Sequence, residues 1–230
     1  MNQRLDRDDP GRVAASFDAE IRALPLLNTP NVRAIRRKYS QQLKQDSPEF
    51  VLDLVKELVH TYGYRGMAYE LLRYHRAAFH SLGAAELEEL GRGINSWGSV
   101  DSFARTLAGP AWLRGQVSDE LICRWAHAED RWWRRAALVS TVALNVRSRG
   151  GMGDTGRTLA VCRLLVADPD DMVVKALSWA LRELVPHDPE AVQGFLDEHN
   201  AVLAARVKRE VGNKLRTGLK NPKSQTGEPG

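Results

Sequence analysis

The feature that most limits what this chain can fold into is a stretch that recurs. DRWWRRAALVSTVAL starts at Asp130, and DDMVVKALSWALREL starts at Asp170. The offset of 40 pairs Asp130 with Asp170, Trp133 with Val173, Arg135 with Lys175 and Ala136 with Ala176. A weaker echo, AARVKREVGNKL, puts Lys208 where Lys175 stands, at an offset of 33. A helical unit that repeats at this spacing cannot bury its apolar face alone, so neighbouring units must stack.

The rest of the chain agrees with helices throughout. In SPEFVLDLVKELVHTYG, Ser47 can cap, Pro48 suits the first helical position and Glu49 the first turn. Phe50, Leu54 and Leu58 form an apolar stripe with Val51 and Val55 on its flank, and Gly63 offers a left-handed stop. Similar periodicity predicts helices over roughly 31–45, 65–80, 84–94, 97–107, 117–127, 130–147, 155–167, 170–185, 188–198 and 201–217. Neither two-residue alternation nor a hairpin turn signal is found. The expected fold is all-α, a HEAT/ARM-like α-solenoid of stacked antiparallel helix pairs with a concave basic face. A single repeat domain is expected over 1–217. The segment 218–230, ending in NPKSQTGEPG, has the composition of a disordered tail.

Charge placement bears on the partner. The formal net charge is +4, yet from Ala201 onward seven cations face two acids, which leaves −1 for the first 200 residues. In stacked repeats, matching positions line up. Arg135, Lys175 and Lys208 would then form a row suited to a phosphate backbone, with Arg134 and Arg209 beside it. The same cations could instead satisfy carbonyls or pair with acids of the next repeat.

One turn of helix stands apart. In NSWGSVDSFA, Trp97 and Asp101 are four residues apart and share a helix face. A core tryptophan beside a first-turn aspartate would account for the pair. However, a cap at Asn95 or Ser96 places Asp101 too deep in the helix for capping.

SWGSVDSFA, then WWRRAALVS, then VVKALSWALRE, together with the earlier NTPNVRAIRRKYSQQL, resemble the AlkD-like DNA alkylation repair glycosylases over roughly residues 28–217. The resemblance implies a HEAT-like solenoid that holds duplex DNA and releases cationic alkylated purines without a deep base pocket. It assigns Trp97, Asp101 and Trp179 to the catalytic cleft and Arg135 to a backbone contact. The implied partner is double-stranded DNA carrying alkylated bases, bound by a monomer. A repeat protein that binds DNA without excising bases, and a protein-binding adaptor, are the other functions a chain of this pattern admits.

Other features point to less. GMGDTGRT has phosphate-loop spacing, but Arg157 stands in the lysine position and the preceding segment reads as a helix where such a loop needs a strand. His75 and His80 are five apart on different helix faces, and six histidines with two cysteines make no recognisable metal site. No metal and no organic cofactor are expected. Cys123 and Cys162 fall in apolar helical patterns and read as buried free thiols of a reducing compartment. With no apolar run of membrane length and no signal-like N-terminus, a cytoplasmic protein that does not engage membranes is expected. Trp132 and Trp133 are adjacent and so diverge, one toward the core and one free to line a cleft.

Overall fold

The computed structural model describes residues 9–222. Among them all regular structure is helical, and none of these helices is long and apolar enough to cross a membrane. The chain divides between Val117 and Ser118 into two compact units.

The first unit holds α1 (Pro10–Arg22), α2 (Thr29–Gln42), α3 (Pro48–His60), α4 (Arg65–Tyr74), α5 (Arg76–His80), α6 (Ala84–Gly91), α7 (Trp97–Phe103) and α8 (Gly109–Leu113). Helix α1 was not among the periodic segments. Asp9 caps it by accepting from the amides of Gly11 and Arg12, and Pro10 occupies its first position. The helix expected over 65–80 is two helices. The chain turns at His75, whose backbone is extended and whose Nδ1 accepts from the Ala78 amide to start α5. The expected stop at Gly63 is present, with φ at +74°.

Aromatic side chains build this unit's core. Phe17 meets Tyr39 edge-on, with ring centroids 4.8 Å apart, and Tyr69 of α4 meets Phe103 of α7 at 5.8 Å. Tyr69 is buried because its hydroxyl has a partner, donating to the Leu90 carbonyl over 2.9 Å. Phe103 and Val100 are fully buried, so α7 is seated on α4 through the face opposite its polar residues. Burying one such phenyl group contributes about 1.5–3 kcal/mol.

The second unit holds α9 (Asp119–Ala126), α10 (Arg131–Asn145), α11 (Thr155–Leu164), α12 (Asp171–Leu184), α13 (Pro189–Glu198) and α14 (Ala205–Thr217), with one 3-10 turn at Arg147–Arg149. Short turns join α9 to α10, α11 to α12 and α13 to α14, and the members of each pair pack together. Helix α10 also packs on α12, and α12 on α14, while α9 packs on α11. This is the layered packing of an α-solenoid. The recurring stretch falls on its repeated helices. Asp130 caps α10 through the Trp132 amide at 2.9 Å, and Asp170 caps α12 through the Met172 amide at 2.8 Å. The repeat is therefore a repeat of helix starts, with Arg131 reaching the Asp170 carboxylate at 3.1 Å to tie one start to the next.

Of the expected tail, 223–230 lies outside the described residues. Before it, Gly218 closes α14 in the left-handed region, and Lys220 sits 3.4 Å from Glu210.

Candidate functional site

Helix α7 begins where Ser96 accepts from the Ser99 amide and the Ser99 hydroxyl answers to the Ser96 backbone. This capping box, built from two serines, makes Trp97 the first helical residue and leaves Asp101 in the second turn. Asp101 therefore does not cap its own helix. Trp97 is 64% exposed, so it is not a core tryptophan. In contrast, Trp112 in the same unit is 1% exposed and Trp125 in the second is 3%. Asp101 is half-buried and is one of the residues engaged by polar or electrostatic contacts. Val100 and Phe103 bury the adjoining side of the helix, which fixes the direction in which the indole and the carboxylate are offered.

The segment expected to end at 107 runs on to Leu113. Between Phe103 and Gly109 the chain forms a π-helical turn, Ala104–Ala108, and then α8. Pro110 gives the cause. It has no amide hydrogen, and in a regular α-helix its ring would press on the carbonyl one turn back. Widening the turn by one residue removes the clash and keeps the helix continuous. Turns of this kind recur at functional sites, and this one begins three residues after Asp101. A shallow recess lies along the neighbouring face of α7, lined by Asn95, Gly98, Ser99 and Ser102 and by the Gly63–Met67 stretch that leads into α4. A Cβ at Gly98 would meet nothing within 4 Å, so the helix is approachable there.

The other expected site residues are in the second unit. Trp179 is half-buried on α12, and its indole Nε1 donates to Glu183 Oε1 over 2.9 Å, which fixes the ring plane. Glu183 was not singled out from the sequence, although its spacing of four from Trp179 is legible there. Arg135 and Lys175 are each the fifth residue of their helices, α10 and α12, and Lys208 is the fourth of α14. Arg135 and Lys175 thus sit at matching places, and Lys208 one position earlier, on helices that pack in succession. Each has a protein partner. Arg135 is 5% exposed and donates to the Met172 carbonyl. Lys175 pairs with Asp171 at 2.6 Å, and Lys208 donates to the Asn200 carbonyl at 3.1 Å. Arg134 braces the same region, with Nε on Asp168 at 2.6 Å and Nη1 on the Ala128 and Glu129 carbonyls. Arg209 is exposed, 4.0 Å from Glu210.

Glu210 is a site the sequence reading passed over. It is 3% exposed and accepts from the Ser178 hydroxyl at 2.7 Å, with Lys220, Arg206 and Arg182 within 3.4–3.9 Å. Burial pushes its carboxyl up, and Ser178, Lys220 and Arg182 more than reverse this, so it sits below the usual glutamate range. The spacing of four from Arg206 is legible in the sequence, but its burial and its other partners, from α12 and from beyond α14, are not.

Trp133 packs on Trp125, with ring centroids 4.9 Å apart, while Trp132 carries the Arg131 guanidinium over its ring at 4.8 Å. The GMGDTGRT stretch follows helix α10, and Asp154 in it caps α11 through the Arg157 amide. It is a helix-to-helix connection, anchored where Asn145 accepts from the Asp154 amide and His187 donates to the Asn145 carbonyl. Cys162 is buried and Cys123 half-buried, and burial raises both thiols. Among the described residues no cluster of three histidine, cysteine or acidic side chains is placed to hold a metal ion.

Residues 12–215 match the family model described as DNA alkylation repair enzyme. No curated protein and no solved structure matches the chain.

Proposed function

Because the chain belongs to the DNA alkylation repair enzyme family, we propose that it hydrolyses the N-glycosidic bond of cationic alkylated purines in duplex DNA, of the N3-methyladenine and N7-methylguanine type. The observation that carries this reading is the exposed indole of Trp97 one helical turn from the Asp101 carboxylate, on a helix whose adjoining face is locked into the core.

The chemistry asks for little more. As the bond between C1′ and the base breaks, its electron pair leaves with the purine, which becomes neutral. Positive charge builds on the deoxyribose, and a fixed carboxylate beside it stabilises that charge. A water molecule then bonds to C1′ and gives a proton to Asp101 as general base. An alkylated purine that is already cationic needs no acid to protonate it, so one carboxylate serves where ordinary glycosides need two. The electron-rich face of Trp97 attracts the same cation.

In this reading Lys175, Lys208 and Arg209 meet DNA phosphates, exchanging their present partners for the backbone. Arg134 and Arg135 support that surface by holding Asp168 and the Met172 carbonyl, which frame the start of α12. Trp179, its ring set by Glu183, offers a further aromatic contact to the DNA. The test is incubation of the protein with duplex DNA bearing N7-methylguanine or N3-methyladenine, scored for released base. Release above the spontaneous rate supports a glycosylase. Tight binding without release points to a DNA-binding member that does not excise.

A further inference from the structure

The first unit carries a basic corner that base release does not use. It lies where α4 breaks into α5, next to the end of α2. An open recess of about 520 Å³ there is lined by Lys44, Asp46, Tyr74, Arg76 and His80, among others. A second recess adjoins it, sharing Tyr74, Arg76 and His80 and adding Arg73 and Arg114. Lys44, Tyr74, Arg76, His80 and Arg114 are all exposed. Among the described residues Lys44, Arg76 and Arg114 form no ion pair, and Asp46 is the acid in the lining. The contrast with the second unit is direct, because Arg134 and Lys175 there are held by carboxylates.

The corner is also rigid and aromatic. Phe79 is buried, and the guanidinium groups of Arg73 and Arg114 lie over its ring at 4.5 and 5.3 Å. The charged heads are thereby held against the fold by a cation–π contact. Tyr74 is 64% exposed, with the Arg36 guanidinium 4.7 Å from its ring centroid. Arg36 is itself fixed by Glu70 at 2.9 Å. A tyrosine placed this way is a platform: one side is braced by a cation and the rest is open to a flat partner.

Exposed cations around an exposed, braced aromatic ring match the chemistry of an unpaired nucleic-acid strand. The cations follow the phosphates and the ring stacks on a base. A duplex offers no free base face, so Tyr74 would add nothing to its binding. A lipid surface could take the same cations and ring, so vesicles form a separate arm of the test. We propose that this corner is a second nucleic-acid contact of the protein, one that takes a single-stranded DNA segment through Lys44, Arg76 and Arg114, with Tyr74 stacking on a base. The site stands apart from Trp97 and Asp101 and does not depend on their role.

The test is fluorescence anisotropy of the full chain with labelled oligothymidylate, a matched undamaged duplex and anionic phospholipid vesicles, over a salt series. Tyr74→Ala is expected to weaken oligothymidylate binding about tenfold and to leave duplex binding unchanged. Lys44→Ala/Arg76→Ala/Arg114→Ala should lower the slope of log affinity against log salt by about two for the single strand, roughly 0.7 per phosphate contact. All four side chains are exposed, and an unchanged circular dichroism spectrum confirms the fold of each variant. Oligothymidylate binding by Tyr74→Ala at the wild-type affinity would overturn the stacking contact. A triple variant with the wild-type salt slope would remove the corner from the interface. Vesicle binding lost in the triple variant, with oligothymidylate binding intact, would assign the patch to lipid and refute the proposal. Base release from alkylated duplex by Tyr74→Ala should match the wild type, so failure here and failure of the glycosylase reading are separately visible.

Discussion

Both units use charge to cap and tie helices, but they differ in how regular their helices are and in what they leave at the surface. In the second, charge is structural: aspartates at 130, 154, 170 and 188 cap helices, and Arg131, Arg134 and Arg182 reach acids on neighbouring elements. In the first, the helices are interrupted, at His75 by a turn and at Ala104–Ala108 by a π-helical segment. Beside those interruptions an indole, a tyrosine and several cations are left at the surface. Regular repetition turns polar side chains inward, onto the next repeat. Where regularity breaks, side chains are released for other partners.

The largest expected effect on this contrast is at Glu210. Glu210→Ala takes the buried carboxylate away from Ser178, Arg182 and Lys220, and should cost about 3–5 kcal/mol in thermal or denaturant unfolding. The pH dependence has a definite sign. A carboxyl held below its usual range contributes stability above its unfolded pKa, about 4.3, and loses it as the pH falls through the folded value. Glu210→Gln should therefore be less stable than the wild type at pH 7, with the difference shrinking as the pH drops below about 4. A constant difference across that range would deny Glu210 its charge-based role.

A smaller effect is expected at the repeated helix starts. Asp170→Ala should cost about 1–2 kcal/mol, since it removes both the α12 cap and the Arg131 partner. Asp130→Ala should cost about 1 kcal/mol, for the loss of the α10 cap. Equal costs would show that the Arg131 bridge adds nothing, the usual result for an exposed pair.

The smallest effect on stability is expected in the first unit. Trp97→Ala should shift stability by no more than about 0.5 kcal/mol, as for an ordinary surface change, while slowing base release. Trp112→Ala, by contrast, should cost about 3–5 kcal/mol. If the two tryptophans cost the same, Trp97 is packing and the comparison between the units fails at its main residue.

These outcomes follow how much of the molecule could be read in advance. The helical class and the repeat were legible because Asp130 and Asp170 begin matching helices, and periodicity survives wherever one face is buried. The placement of Trp97 and Asp101 one turn apart on a single helix was legible as a spacing of four. Helix α1 was passed over although Asp9 and Pro10 form a clear start signal, because its apolar stripe of Val13, Phe17 and Ile21 is sparse. The break at His75 was not legible: Tyr74, His75 and Arg76 carry neither glycine nor proline, and the turn there rests on an imidazole cap. The π-helical turn was marked by Pro110, but a proline inside an apolar run reads as a stop, whereas here the turn widens and the helix continues. Glu210 showed only its spacing of four from Arg206; Ser178, Arg182 and Lys220 are gathered around it by tertiary packing. Arg135 was legible as a repeated cation, but not as a buried one, since burial depends on the carbonyl of Met172 arriving from α12.

The central claim is that Asp101 acts on the transition state, and one substitution addresses it with little change of shape. Asp101→Asn keeps the side-chain volume and removes the charge. Single-turnover release of N7-methylguanine from duplex DNA should fall about 10²-fold or more, while the unfolding midpoint and the affinity for undamaged duplex stay near the wild-type values. Release by Asp101→Asn at the wild-type rate would contradict the account and return Trp97 and Asp101 to the surface of a DNA-binding scaffold.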